Sequence, residues 1–188
     1  MATLLMANTS NVKEMKGGRP QTVILDEVKP NCTIVTLKDT KEKTARELDH
    51  VHEVDFLTSV NEVVGKWVVV SPEINVQQYR KIDNQIGKYM LEEDETYTAY
   101  QLQALDRLEY SEGYFASIEG LKVGDFVEID GAGKFAKDED GSDTTSPFRV
   151  VSITELWHPI VMGVNASAKQ PLALQPKAPK MIKLEVVR

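Results

Sequence analysis

The stretch Val123-Gly-Asp-Phe-Val-Glu-Ile-Asp-Gly-Ala-Gly-Lys-Phe135 decides the fold class, because apolar and polar side chains alternate in it before a glycine-rich turn. Successive side chains of a β-strand point to opposite faces of its sheet. Phe126 and Glu128 should therefore share one face, while Val127 and Ile129 share the other. This spacing predicts a strand with one apolar face, and hence a β-rich protein.

The turn after this strand is built from glycines. Asp130-Gly131 and Gly133 supply the positive φ angles that a tight return requires. Lys134-Phe135-Ala136-Lys137 then predicts the returning strand of a hairpin. These glycines do not indicate a phosphate-binding loop, because they lack its spacing and its Ser or Thr, and because they do not begin a helix.

β-branched and aromatic runs on both sides of the hairpin predict further strands. Lys29-Pro-Asn31 is a turn signal between the first two runs, so these two strands are predicted to pair as a hairpin. The short apolar run at 67–70 predicts a central strand. The predicted strands are Thr22–Asp26, Thr33–Lys38, Trp67–Val70, Phe148–Trp157 and Met181–Val187.

Helical patterns occur in three segments. Ser71-Pro72 is a helix start, and apolar residues follow at three- and four-residue spacing, which predicts a helix over 73–90. That stripe comprises Val76, Tyr79, Ile82, Ile86 and Met90. Residues 40–50 fit a short helix or a charged loop. Residues 96–108 fit both a helix and a strand, and their period does not decide between the two.

These patterns predict a mainly β fold with one or two helices (α+β), organised as a compact β-sandwich or barrel-like body. An extended N-terminal arm (1–20) precedes a β-rich region with a helix near 73–90 (21–92). A β-barrel-like region (93–165) and a proline-rich tether with a terminal strand (166–188) follow. Gly and Pro interrupt any period at the end of the arm, and prolines keep the tether extended.

Charge and composition restrict the function. The 188 residues include 22 Lys and Arg against 29 Asp and Glu, a formal net charge of -7. An acidic surface repels a phosphate backbone, so we predict no nucleic-acid partner. Met1–Met6 lacks the basic start of a secretion signal, and no window approaches the roughly 20 apolar residues of a membrane span, so we predict no membrane partner. The single cysteine, Cys32, fits synthesis in a reducing cytoplasm.

The two ends of the chain contain the predicted partner-binding residues. Apolar side chains near the N-terminus would remain exposed unless a neighbouring subunit covers them. Prolines in the tether make it unable to pair regularly within a sheet. A floppy terminus is the alternative for the N-terminal segment. We predict that both segments make contacts between subunits or with a larger assembly, and that the chain forms a homo-oligomer. The residues are Leu4, Leu5, Met6, Pro171, Pro176 and Pro179.

Metal-binding and catalytic patterns are weak, and we predict no cofactor, no metal and no enzymatic activity. His50-Val-His52 would place two imidazoles on one strand face among carboxylates, but no third His or Cys lies nearby in sequence. The acidic loop 138–143 lacks the glutamate that completes an EF-hand calcium site. His158 has no accompanying nucleophile motif.

Several short segments, taken in order, resemble a region of the head-associated structural proteins of tailed bacteriophages. The resemblance rests on Tyr97–Leu102, Leu105–Ser111, Tyr114-Phe115, Val123–Ile129, Lys134-Phe135 and Phe148–Ile153. Similar proteins decorate or cement the outside of the capsid, often as oligomers on the major capsid protein. The resemblance implies a virion protein made in the bacterial host cytoplasm, whose partners are the major capsid protein and copies of itself. It also implies that residues 96–102 form a strand.

Other functions stay open from the sequence. Gly124–Ile129 also resembles the opening of small translation-related barrels, which would make the chain a nucleic-acid-binding β-barrel in spite of its acidic charge. The chain could also occupy another virion position, as a head fibre or tail protein. Two further alternatives are a zinc enzyme that uses His50 and His52 and a sugar-binding module that uses Trp67 and Trp157.

Overall fold

The computed structural model describes residues 7–12, 20–40, 51–58, 62–71, 90–138, 146–155 and 180–188. Strands dominate these ranges, and their only helical structure is a short 3-10 turn at Glu112–Tyr114. The prediction of a mainly β fold is confirmed. The strands are β1 (Ala7–Asn11), β2 (Gln21–Ile24), β3 (Lys29–Pro30), β4 (Ile34–Thr40), β5 (Val51–Phe56), β6 (Trp67–Val70), β7 (Met90–Leu91), β8 (Thr96–Gln101), β9 (Arg107–Ser111), β10 (Phe126–Ile129), β11 (Phe135–Lys137), β12 (Phe148–Glu155) and β13 (Lys180–Val186).

Five strands close into a barrel in the order β2-β5-β4-β6-β8. β2 and β5 run parallel, and the remaining four pairs of neighbouring strands are antiparallel. Small and branched apolar side chains fill the interior, because alternate residues of a barrel strand point inward. This buried cluster comprises Val23, Leu25, Val35, Val54, Val69, Leu91 and Ala99.

The predicted hairpin between Thr22–Asp26 and Thr33–Lys38 is wrong. The two runs are strands β2 and β4, but β5 lies between them in the barrel. The turn signal at Lys29-Pro30 does not reverse the chain onto β2, because these residues form β3, which pairs with β7. Trp67–Val70 is a central strand as predicted, since it is hydrogen-bonded to both β4 and β8.

Six strands form an antiparallel sheet in the order β1-β9-β13-β12-β10-β11. One face packs against the outside of the barrel. Leu108, Ile182 and Leu184 of the sheet belong to the same buried cluster as Ile34 and Val68 of the barrel strands. We call this the inner face of the sheet and the opposite side the outer face.

The hairpin predicted over 123–137 is confirmed as β10 and β11. Val127 and Ile129 are buried on the inner face, as the alternation predicts. Of the two turn glycines, Gly133 alone takes a positive φ, of 74°. The Asp130 carboxylate stabilises the turn by accepting two backbone hydrogen bonds, at 2.9 and 2.8 Å.

The barrel lies in a different part of the chain from the predicted barrel-like region, 93–165. Its strands come from residues 21–101, and β8 is the only described strand within 93–165 that belongs to it. β9 to β12 belong to the six-stranded sheet instead. Alternation predicts that a segment is a strand, but it does not specify which distant segment becomes its partner.

Residues 96–108 form β8 and the start of β9, joined by a turn. β8 ends at Gln101, in agreement with the strand that the phage resemblance implies. Within the turn Leu105 has a φ of 70°. A residue in this left-handed region does not continue a right-handed helix, so the helical alternative is wrong.

Several predicted elements fall partly or wholly outside the described residues. The predicted helix over 73–90 lies outside the described residues except for Met90, which belongs to strand β7. The arm is described at 7–12, where Ala7–Asn11 form β1, and the tether is described from Lys180 onward, where β13 begins. In the described part of the chain no helix is long and apolar enough to cross a membrane.

Candidate functional site

The six residues predicted to bind partners lie outside the described ranges; they are Leu4, Leu5, Met6, Pro171, Pro176 and Pro179. The strands that follow them in the chain are described. Ala7 is the first residue of β1, and Lys180 is the first residue of β13. The structure therefore shows where both segments join the body.

Both segments join the same end of the same sheet. Ala7 and Ile182 lie opposite Tyr110, on either side of β9. β1 and β13 are each antiparallel to β9, so they run parallel to each other and begin at one end. Neighbouring strands of a sheet are about 4.8 Å apart, which places the starts of β1 and β13 roughly 10 Å apart.

The connection from β12 to β13 leaves and returns at this end as well. Glu155, the last residue of β12, lies opposite Lys180. Between them, residues 156–179 form a 24-residue connection that contains the three tether prolines. We call this region of the sheet, at Ala7, Glu155 and Lys180, the arm end.

A row of charged residues crosses the outer face towards the opposite end. Arg107, Glu185 and Arg149 are register partners on the adjacent strands β9, β13 and β12. Glu185 Oε2 accepts hydrogen bonds from Nε and one Nη of Arg107 at 3.0 and 2.8 Å, and Oε1 accepts one from Arg149 at 2.8 Å. The arginine side chains are each 49% exposed and the glutamate side chain 7%. We call these three residues the arginine row.

Two opposing effects set the charge of Glu185. Burial favours the neutral acid and raises its pKa, while hydrogen bonds and positive charge from Arg107 and Arg149 favour the carboxylate. The effect of the two arginines together exceeds the effect of burial, so the pKa of Glu185 lies below its ordinary value of 4.5. Two guanidinium charges against one carboxylate leave the arginine row with a net charge of +1 at neutral pH.

We expect Glu185→Gln to lower the free energy of unfolding by about 1–2 kcal/mol at pH 7, because charge-assisted hydrogen bonds are lost. The folded-state pKa is depressed, so the stabilisation is present above the unfolded pKa and is lost as pH falls through the folded pKa. Urea denaturation between pH 7 and about pH 2 should show the difference from wild type shrinking with acidification.

Glu109→Gln is the control for this pH series, since Glu109 occupies the same outer face on β9 without a flanking pair of arginines. Its effect on unfolding should be within about 0.5 kcal/mol at every pH. A Glu185→Gln difference that stayed constant from pH 7 to the acid limit would contradict an ionised, arginine-stabilised Glu185.

A buried hydrogen-bond network joins the barrel to the inner face of the sheet. The Tyr110 hydroxyl donates to the backbone oxygen of Cys32 at 2.9 Å, and the Tyr114 hydroxyl donates to that of Asn31 at 2.6 Å. The Asn31 amide nitrogen donates to the Ser71 oxygen at 2.9 Å. Breaking these hydrogen bonds costs free energy, because water does not reach the buried polar groups to replace the lost partners. The network therefore stabilises the packing of the sheet against the barrel.

The residues weighed as metal ligands do not come together in the described structure. His52 lies on β5 with its Nδ1 3.0 Å from the backbone oxygen of Lys38, while His50 and His158 fall outside the described residues. Of the acidic loop 138–143, Asp138 alone is described, and it accepts a hydrogen bond from the Ser146 hydroxyl. Among the residues that the structure describes, no three His, Cys, Asp or Glu side chains group as a metal site.

No protein-family model, curated protein or solved structure matches this chain. Among the residues that the structure describes, the arm end and the arginine row carry the proposals below. The predicted partner-binding segments precede the two strands that begin at the arm end, whereas no local sequence pattern indicates the arginine row. The β-branched residues of 181–187 predict a strand that contains Glu185, yet the partners of Glu185 lie 78 and 36 residues away. No local period connects positions that far apart.

Proposed function

We propose that this chain is a non-enzymatic virion structural protein, a capsid decoration or cement protein that binds the major capsid protein and copies of itself. The observation that supports the proposal is the arm end. Two segments predicted from sequence to contact partners, at the N-terminus and in the tether, join the body at one end of one sheet. Both could then reach the capsid on the same side of the body.

Extended segments on a common body suit attachment to a repeating surface. Once one segment binds, the other is held at high effective concentration, so modest contacts combine into firm binding. Leu4, Leu5 and Met6 would contribute apolar area, worth roughly 25 cal/mol for each Å² buried. The tether prolines reduce the conformational freedom that is lost on ordering.

Deletion of residues 1–6 should weaken binding to purified capsids stripped of this protein by about tenfold or more, equivalent to about 1.4 kcal/mol. The melting temperature of the protein should change by less than about 2 °C. The deletion ends before β1 because Thr9 and Val12 are buried, at 6% and 0% exposure. Cosedimentation with capsids measures binding, and circular dichroism measures melting.

Val123→Thr is the matched control, because it removes apolar surface that is 63% exposed from the loop preceding β10. Its capsid binding should equal that of the wild type.

Binding of the wild type to purified tails and not to capsids would assign the chain to the tail. Salt-sensitive retention on single-stranded nucleic acid, without capsid binding, would favour the nucleic-acid-binding barrel. Equal capsid binding by the deletion and the wild type would overturn the role of the N-terminal segment.

A further inference from the structure

The arginine row presents hydrogen-bond donors that the described structure does not use. Arg107 employs Nε and one Nη, and Arg149 employs one Nη, all towards Glu185. The remaining guanidinium N–H groups belong to side chains that are 49% exposed. Guanidinium groups match carboxylates in geometry, so the row is suited to bind a second carboxylate from outside.

The row is also held in place before any ligand arrives. Its three members lie opposite one another on adjacent strands, and the buried carboxylate of Glu185 draws both guanidinium groups together. Phe126 of β10 lies opposite Arg149 and extends the row with an aromatic side chain. Arginine and aromatic residues are the types that dominate binding energy at protein interfaces.

The same chain carries a matching acidic element. Glu92, Glu93, Asp94 and Glu95 form an exposed turn between β7 and β8. In the described part of the chain, none of these four carboxylates has an ion-pair partner. We call residues 92–95 the acidic turn.

The backbone of the acidic turn is fixed by hydrogen bonds to the barrel. The Asp94 N–H donates to the Leu25 oxygen at 2.8 Å, and the Glu92 N–H donates to the Tyr97 hydroxyl oxygen at 2.7 Å. Asp94 has a φ of 57°, a conformation that aspartate tolerates better than most residues. Because the turn is already ordered, little further entropy is lost when it binds.

The row and the acidic turn of one chain lie on different sides of the sheet. The barrel packs on the inner face, and the acidic turn follows Leu91, which belongs to the buried cluster within the barrel. The arginine row lies on the outer face. These two elements can therefore meet only between two copies.

We infer that the acidic turn of one copy binds the arginine row of the next copy, in a head-to-tail contact that forms a ring or an open chain. Such a contact uses two different surfaces of each subunit, so every copy can bind one neighbour through its acidic turn and another through its arginine row. The inference rests on the self-association included in the proposed function and names its surface. From Arg107 to Ser111 at the arm end, β9 spans roughly 14 Å, so self-association and capsid attachment use separate regions of the sheet.

Sedimentation velocity of the full chain tests this contact without a capsid. The wild type should associate at about 0.05 M NaCl and dissociate at about 0.5 M, because salt screens exposed charges. Arg107→Gln/Arg149→Gln and Glu93→Gln/Asp94→Asn/Glu95→Gln should each weaken association by about tenfold or more. Lys183→Gln, which removes a positive charge from the outer face outside the row, should leave association unchanged.

A charge reversal strengthens the test. Arg149→Glu and Glu93→Arg should each fail to associate alone, while a mixture of the two proteins should associate, because the unaltered row of the Glu93→Arg protein can bind the unaltered acidic turn of the Arg149→Glu protein. The acidic-turn variant leaves the sheet intact, so it tests the head-to-tail contact even if the arginine variants unfold. A wild type that is monomeric at low salt, or an acidic-turn variant that associates normally, overturns the inference.

Capsid binding separates this inference from the proposed function. A monomeric wild type that still binds capsids would overturn the head-to-tail contact and leave the decoration role standing. An oligomer that depends on the row and the acidic turn but binds no capsid would support the head-to-tail contact and overturn the decoration role. Loss of capsid binding in Arg107→Gln/Arg149→Gln alone, with oligomerisation unchanged, would assign the row to a carboxylate of the capsid and overturn self-association.

Discussion

Replacing Tyr110 by alanine should lower the free energy of unfolding by about 3–5 kcal/mol, the cost of deleting a large buried aromatic side chain. Tyr110 is 1% exposed, and its ring centroid lies 4.9 Å from that of Tyr114 and 4.7 Å from that of Phe135. The substitution would open a cavity between barrel and sheet and would remove the hydrogen bond to Cys32. Urea denaturation followed by tryptophan fluorescence measures the change.

Tyr110→Phe separates the two contributions. It keeps the ring and removes the hydroxyl, which leaves the Cys32 carbonyl without this donor, and it should lower stability by about 1–2 kcal/mol. A loss below about 1 kcal/mol for Tyr110→Ala would contradict the packing described for the junction. Equal losses for the two variants would show that the ring contributes nothing.

Asn31→Ala should lower the free energy of unfolding by about 2–3 kcal/mol, because it removes three hydrogen bonds made by a buried side chain, each worth about 0.5–1.5 kcal/mol. Asn31 is 5% exposed. Its Oδ1 accepts hydrogen bonds from the N–H groups of Cys32 and Ser71, both at 3.0 Å, and its Nδ2 donates to the Ser71 oxygen at 2.9 Å. One side chain thus ties the loop before β4 to the end of β6.

Asn8→Ala provides the control, since Asn8 is an exposed asparagine on edge strand β1. Its effect should be within about 0.5 kcal/mol. The same urea denaturation measures both variants. If Asn31→Ala were as mild as Asn8→Ala, the side-chain hydrogen bonds of Asn31 would not stabilise the connection between the loop before β4 and the end of β6.

The Tyr110 variants test a property that the proposed decoration role would require. Attachment through segments at the arm end would transmit force to the body, which should then not separate into barrel and sheet. The buried cluster shared by both units, together with the Tyr110 and Tyr114 hydrogen bonds, supplies that resistance. Loss of capsid binding by Tyr110→Ala at a temperature where it is folded would indicate that the junction also shapes the arm end.

Local chemistry explains which elements were predictable. The hairpin at 123–137 follows from alternation and from a turn that Asp130 and Gly133 stabilise within a few residues. The strand at 67–70 follows from a short apolar run that needs partners on both sides. In contrast, residues 96–108 carry both periods, and the left-handed turn at Leu105 is not marked by a glycine.

The sequence by itself determined that the chain is β-rich, acidic and equipped with apolar or proline-rich segments near both ends. These properties depend on composition and on side-chain order within a few residues. The tertiary structure alone decided that β5 separates β2 from β4 and that two distant segments share the arm end. It also brought Glu185 between Arg107 and Arg149. The physical reason is that strand partners are selected by packing and hydrogen bonding across long loops, which no local pattern encodes.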